Sequence, residues 1–330
     1  MSDWKGISVF IEQDQGTAQS IGWEMLGKGR ELADASDQEL IAIVLGDDID
    51  AIGKEAIKRG ADKVILAKHK LLENYRWETY FKVTTDIVEK YKPSSFLCGA
   101  TPNGRDLAGR MAVKLKTGLT ADVVNLEVGE GDMILGHVPG FGGSILAVIK
   151  CETSRPQMIT VRPGIFTPKD PSKHKGTIEE FPVKLTKKDL STEIVKKIPV
   201  EVEDISKAKR LVTAGRGVVN SLDTVKEIAE LLDAAVGVTR PLCDAGVMPR
   251  NHQVGSTGVT VKPKYSLVFG ISGAMHFTSG IKDSDTIIAV NTDEMATIFD
   301  YADYQIVGDA NEILPILLEK LKAKLLPEVK

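Results

Sequence analysis

The residues best suited to chemistry lie in Thr239–Thr257 (TRPLCDAGVMPRNHQVGST) and in Gly270–Ala274 (GISGA), each directly after a short apolar run. Glycine lets a backbone come close to a ligand, and free N–H groups with a Ser272 hydroxyl can bind a pyrophosphate. Such residues gather at the carboxyl ends of strands in an open parallel sheet, where phosphate-bearing cofactors sit. This chemistry holds a dinucleotide and does not build a hydrolytic centre. The plainer reading of GISGA is a glycine-containing strand-to-helix turn.

Other single residues extend the pattern. Arg216, inside Gly215-Arg216-Gly217, can pair a cofactor phosphate bidentately or simply sit in water. Arg240 ends an apolar strand and precedes Pro241, which favours an extended or turn backbone. Its guanidinium cannot deprotonate, so it favours a ring that gains negative charge on reduction; the alternative is a surface salt bridge. Gln253-Val254-Gly255-Ser256-Thr257 offers amide and hydroxyl groups in a loop that must lie against something. Asn291 follows an apolar strand and suits a ribose, ribityl or adenine contact, although a turn explains it equally well. Asp309 is placed alike, and its first reading is the N-cap of the last helix.

The elements that must position these residues alternate in type. Gly6–Glu12, Leu40–Leu45, Lys63–Leu66 and Ser95–Cys98 read as apolar strands. Helices over 20–33, 49–59, 77–91 and 103–115 are interleaved with them. Continuous apolar strands between amphipathic helices predict a parallel sheet covered on both faces. From Gly118, segments near 123–128, 133–138, 144–149 and 158–161 are short, β-rich and broken by Gly, Pro and Asn. They predict an antiparallel extension. Residues 166–209, rich in Lys, Pro and Glu, read as a crossing linker between domains 1–165 and 210–330. The second domain predicts strands at 210–214, 235–239, 266–270, 286–290 and 305–307, with a last helix over 311–325. The fold class is α/β, as two tandem doubly wound parallel-sheet domains.

Length and composition bound the function. The chain has 330 residues, enough for about two domains, of which 42% are hydrophobic and 27% charged. A net charge of −4 offers no nucleic-acid footprint. Neither a signal peptide, a transit segment nor a membrane span is expected. The 3 cysteines are dispersed without Cys-x-x-Cys, as are the 5 histidines, so a cytoplasmic protein without a metal site is expected. An NAD-dependent enzyme on a similar C-terminal sheet is the rival reading. Its acid–base candidates, Asp244, His252 and His276, are near one another only in sequence.

Taken in order, Gly215-Arg-Gly, TRPLCDAG, QVG-x-TG, GISGA, GIKDS, IAVN and ADYQIVGD resemble the FAD-binding domain of the electron-transfer flavoprotein alpha subunit. Gly99–Asp122, Pro139–Ala147 (PGFGGSILA) and Arg155–Gly164 (RPQMITVRPG) resemble that family's N-terminal domain, so the likeness covers essentially the whole chain. It implies a first domain like adenine-nucleotide hydrolases, an FAD-binding Rossmann-like second domain, and a beta-subunit partner. It further implies an electron carrier, not an enzyme, serving an acyl-CoA dehydrogenase of fatty-acid β-oxidation or another flavin dehydrogenase. NADH-dependent electron bifurcation, with ferredoxin or flavodoxin as acceptor, is the variant of that role.

By position, the resemblance makes cofactor contacts of Arg216, Thr239, Arg240, Gln253, Val254, Gly255, Ser256, Thr257, Gly270, Ser272, Gly273, Ala274, Met275, His276, Phe277, Asn291 and Asp309. Arg240 and Thr257 fall beside the isoalloxazine, Ser272–Ala274 on the phosphates and ribityl chain, and Asn291 and Asp309 on the adenosine half. The sequence departs from the family pattern twice. Where many members read GISGAIQH this chain reads GISGAMHF, placing Phe277 in the histidine slot and His276 in the glutamine slot. Ser256 replaces the usual glutamine of QVGQTG. Both changes bear on the flavin potential more than on FAD binding.

Overall fold

The computed structural model describes residues 3–140, 145–197 and 204–325, and the chain divides into units Met1–Lys197 and Ile198–Lys330. The first unit opens with β1 (Ile7–Ile11), the two-residue strands β2 (Gln13–Asp14) and β3 (Thr17–Ala18), α1 (Ser20–Ala35), β4 (Leu40–Gly46), α2 (Asp50–Lys58) and β5 (Lys63–Lys68). It continues with α3 (Trp77–Tyr91), β6 (Ser95–Gly99), α4 (Pro102–Leu115), β7 (Leu119–Val123), β8 (Asn125–Val128), β9 (Ile134–Gly140), β10 (Ile145–Ile149), β11 (Gln157–Val161) and β12 (Thr177–Glu180). Seven strands make one parallel sheet in the order β12-β5-β4-β1-β6-β11-β7.

Strand alternation explains why both faces are covered. Ile7, Val9 and Ile11 pack with Ile21, Met25 and Ile52 of α1 and α2. Phe10, Ile41 and Ile43 pack with Tyr80, Val83, Leu107 and Met111 of α3 and α4 on the opposite face. Each such side chain, fully buried, contributes roughly 1.5–3 kcal/mol of transfer free energy. Between β1 and β6, where the strand order reverses, Glu12 accepts hydrogen bonds from Thr101 Oγ1 at 2.6 Å and Asn103 Nδ2 at 2.9 Å. Thr101 in turn caps α4 by accepting from the Gly104 N–H at 2.9 Å.

The second unit contains β13 (Arg210–Ala214), α5 (Leu222–Leu231), β14 (Ala235–Val238), α6 (Arg240–Asp244), β15 (Tyr265–Phe269), α7 (Met275–Thr278), β16 (Ile287–Asn291), β17 (Tyr304–Val307) and α8 (Ala310–Leu325). Its sheet is parallel throughout, in the order β14-β13-β15-β16-β17. Val212 and Ala214 face α5 and α8 through Val225, Ile228 and Leu314. Leu211 and Val268 face a layer built from loops and the single turn α7, including Val254, Phe277 and Ile298.

Four expectations need correction. Residues 157–161 do not belong to an antiparallel extension: β11 lies between β6 and β7 in the main parallel sheet, fully buried. Burial on both faces is what a parallel interior strand requires. The antiparallel sheet is smaller, with the order β10-β9-β8. The stretch 166–209 is not wholly a linker, because β12 pairs with β5 through Thr177–Glu180 and residues up to Lys197 belong to the first unit. The helix expected to follow GISGA begins at Met275 but lasts only one turn. Arg240-Pro241 does not end in an extended turn but opens α6, since proline is tolerated in a helix's first turn. Residues 141–144 of PGFGGSILA and 198–203 of the expected linker lie outside the described residues. Among the described residues no helix is long and apolar enough to cross a membrane.

Candidate cofactor-binding site

A cleft of about 570 Å³ opens at the carboxyl ends of β13, β14, β15 and β16 and reaches the first turn of α8. Its lining includes the turns after β13 and β15, between which the strand order reverses. The turns following these two strands press against each other backbone to backbone. Gly215 N–H donates to Phe269 O at 2.9 Å, and Gly217 N–H to Gly270 O at 3.2 Å. Gly270 has φ +61°, and a Cβ there would lie 2.9 Å from Gly217 Cα; one on Gly215 would collide with Gly270 O. Only glycine satisfies both the dihedral and the contact. The floor is therefore main chain, with Ile271, Val254 and Phe277 adding apolar surface.

The structure brings most of the expected residues to this cleft. Arg216, Thr239, Arg240, Gln253, Val254, Thr257, Gly270, Ser272, Ala274, His276, Phe277, Asn291 and Asp309 all line it. Gly255, Ser256, Gly273 and Met275 do not. Gly255 is packed on the backbone of His276 and Gly273 on that of Ile298, both behind the lining, and Met275 turns outward at 42% exposure. Gly215, Gly217, Pro241, Ile271, Thr292, Ala310 and Asn311 line the cleft as well. Adjacency to the motif residues signals most of these. Asn311 has no such signal, being an ordinary residue in the first turn of a helix.

Local hydrogen bonds fix the rim. Buried Gln253 donates through Nε2 to Thr257 Oγ1 at 2.8 Å, leaving the Thr257 hydroxyl proton free to donate. Asn291 both donates, through Nδ2 to Ile271 O at 2.9 Å, and accepts, at Oδ1 from the Asp293 N–H at 3.0 Å. Asp309 Oδ1 accepts from the Asn311 N–H at 2.8 Å and so caps α8 while lining the cleft. Asn311 ties that cap to the floor by donating through Nδ2 to Gly217 O at 2.9 Å and accepting from Ser221 Oγ at 2.7 Å.

The charged groups are unequal. Arg216 has no ion-pair partner among the described residues. Arg240 donates through Nε to Asp244 Oδ2 at 3.1 Å along α6. Two of the positions that depart from the family pattern meet each other: Ser256 Oγ lies 3.1 Å from His276 Nδ1, and the Ser256 N–H donates to His276 O at 2.7 Å. The acid–base candidates of the rival reading are engaged separately. His252 Nδ1 sits 2.7 Å from Val236 O, Asp244 is held by arginines, and His276 by Ser256. Burial pushes the Cys243 thiol up, Arg250 opposing and Asp244 reinforcing, so it stays protonated and offers no nucleophile.

Comparison with known proteins decides the family. The electron transfer flavoprotein domain matches residues 7–186, and the electron transfer flavoprotein FAD-binding domain matches 204–282. The electron transfer flavoprotein subunit alpha of Thermoanaerobacterium thermosaccharolyticum is 39% identical over 98% of this chain and 99% of its own. The chain belongs to the electron transfer flavoprotein alpha-subunit family. Protein FixB of Clostridium saccharobutylicum is 41% identical over 98% of both chains. The lactate dehydrogenase (NAD(+),ferredoxin) subunit LctC of Acetobacterium woodii is 39% identical over 97% of this chain and 77% of its own.

As a member of this family the protein is an electron carrier, its cofactor is FAD, and its partner is a beta subunit. The residues present fit that cofactor. The cleft has a main-chain floor that a Cβ would fill, a guanidinium at Arg216 free to meet a phosphate, and polar groups at Asn291 and Asp309 in its lining.

Proposed function

We propose that the cleft of the second unit holds FAD with Arg240 and Thr257 beside the isoalloxazine, Ser272, Ala274 and Arg216 toward the ribityl chain and phosphates, and Asn291 and Asp309 toward the adenosine half. The heterodimer then carries electrons in the cytoplasm from a flavin dehydrogenase, such as an acyl-CoA dehydrogenase, to a second redox partner. The observation carrying this reading is the pairing of a glycine floor with a permanently charged guanidinium on the rim, in one cleft at the sheet's topological switch point.

Bound FAD supplies reversible uptake and release of electrons. The chain's residues supply the setting. Arg240 keeps its charge at every working pH and favours the reduced ring over the oxidised one. Thr257, oriented by Gln253, directs a hydroxyl proton toward the ring edge. His276, which lines the cleft with Nδ1 engaged by Ser256, would in its Nε2–H form supply the donor that Phe277 cannot.

The test is direct. Co-produced with its beta subunit, the chain should yield a yellow heterodimer with a flavin spectrum; a colourless, nucleotide-free heterodimer overturns the reading. Arg240→Ala should lower the reduction potential.

A second reading, NADH-dependent electron bifurcation, is favoured by the likeness to the ferredoxin-linked lactate dehydrogenase subunit. It requires two flavins per heterodimer and reduction by NADH. One flavin and no response to NADH leave the simple carrier.

A further inference from the structure

Arg240 does not stand alone on the rim. It is the first residue of α6, and Asp244, one helical turn later, accepts its Nε–H at 3.1 Å. The other carboxylate oxygen of Asp244 accepts from Arg250 Nη2 at 3.0 Å. Arg240 lines the cleft, whereas Asp244 and Arg250 do not. One carboxylate is thus divided between two guanidiniums, and only one of these faces the cofactor cleft.

We infer that Asp244 is a positioning residue for the redox function: it fixes the direction of the Arg240 guanidinium and cancels part of its charge, while Arg250 draws off part of that cancellation. The inference rests on the reading above that Arg240 faces the isoalloxazine. The i,i+4 spacing on a single short helix leaves Arg240 few other directions while the pair is intact. Because both side chains are substantially exposed, at 60% and 43%, solvent screens the pair and its influence is modest. It still has a definite sign. Removing the carboxylate charge leaves the rim more positive and favours reduced flavin. Removing Arg250 leaves Asp244 wholly to Arg240 and favours oxidised flavin. A role confined to stability moves both variants the same way.

The experiment is a spectroelectrochemical titration of the FAD-loaded heterodimer, with oxidised-FAD affinity and melting temperature measured alongside. Asp244→Asn should shift the balance toward reduced flavin by about two- to fivefold, or about 18 to 41 mV for a one-electron couple. Arg250→Ala should shift it the other way by about twofold. Asp244→Glu keeps the charge and should stay near the parent protein, and Asp244→Ser replaces the Asn variant should that not fold. Arg240→Ala separates this inference from the reading beneath it. If Arg240→Ala lowers the potential while Asp244→Asn leaves it unchanged or lowers it, the role of Asp244 is overturned and that of Arg240 survives. An unmoved potential in Arg240→Ala overturns both.

Discussion

Two parallel sheets in this chain reverse strand order at equivalent places, between β1 and β6 in the first unit and between β13 and β15 in the second. In the first, side chains bridge the crevice. Glu12 reaches across to Thr101 and Asn103, and Gln13 donates to the Tyr80 hydroxyl at 3.0 Å. The acid and amide after β1 are thus satisfied by a hydroxyl and an amide after β6 and by the phenol of Tyr80 in α3. In the second, the matching turns are Gly215-Arg216-Gly217 and Gly270-Ile271-Ser272, and the crevice is open. Shared topology therefore does not make a binding site. What differs is whether the turn residues have side chains that can meet each other.

That comparison can be broken most severely at Gly270. Valine there would force a β-branched residue to φ +61° against Gly217. We expect a cost of about 3 kcal/mol, read as about a hundredfold loss of FAD affinity in a fluorescence titration of the apo-heterodimer. Unchanged affinity would remove the glycine floor from the argument. Glu12→Ala is the counterpart in the first unit. Stripping the shared acceptor from Thr101 and Asn103 should lower unfolding stability by about 2 kcal/mol in urea while leaving FAD content intact. Lost FAD at unchanged stability would contradict a purely structural crevice.

A pH experiment sharpens the contrast further. Burial pushes the Asp62 carboxyl up, but the Leu40 N–H at 2.8 Å, Arg30 at 2.7 Å and His174 outweigh it and hold the group net below its ordinary range. The folded state therefore binds fewer protons at this site than the unfolded chain does. The stabilisation is present above the unfolded value, near pH 4, and is lost as pH falls through the folded one. Asp62→Asn should flatten that acid limb in denaturation curves of the first unit's signal, without altering the flavin spectrum. The smallest effect is expected at the Ser256–His276 pair. A double-mutant cycle to Ala, scored by FAD affinity, should give a coupling of about 0.5 kcal/mol. Strict additivity would mean that Ser256 and His276 act independently.

Much of this contrast is readable from residue order. Strand β4 is a continuous apolar run, β1 and β6 are each broken only by a serine, and Gly215-Arg-Gly and GISGA mark the turns after β13 and β15 by composition alone. Strand β11 is harder. Its five residues sit between prolines at 156 and 163, much like a hairpin strand, and its partners β6 and β7 lie far off in sequence. Strand β12 (TIEE) has a polar edge composition that carries no apolar signal. In the cleft, the glycines and Arg216 announce themselves, but the pairings Ser256–His276 and Arg240–Asp244–Arg250 depend on how loops fold back. Asn311 is invisible for a related reason: its amide reaches Gly217, a residue 94 positions away.

The contact between Gly215, Gly217 and Gly270 also limits where this carrier can diversify. A surface made of peptide groups has no side chain to exchange, so its shape and polarity are inherited unchanged by every variant that folds. Adaptation to a new donor or acceptor must then accumulate around the margin, among residues such as Ser256, His276 and Asp244, where one replacement can retune the protein without dismantling the seat beneath it.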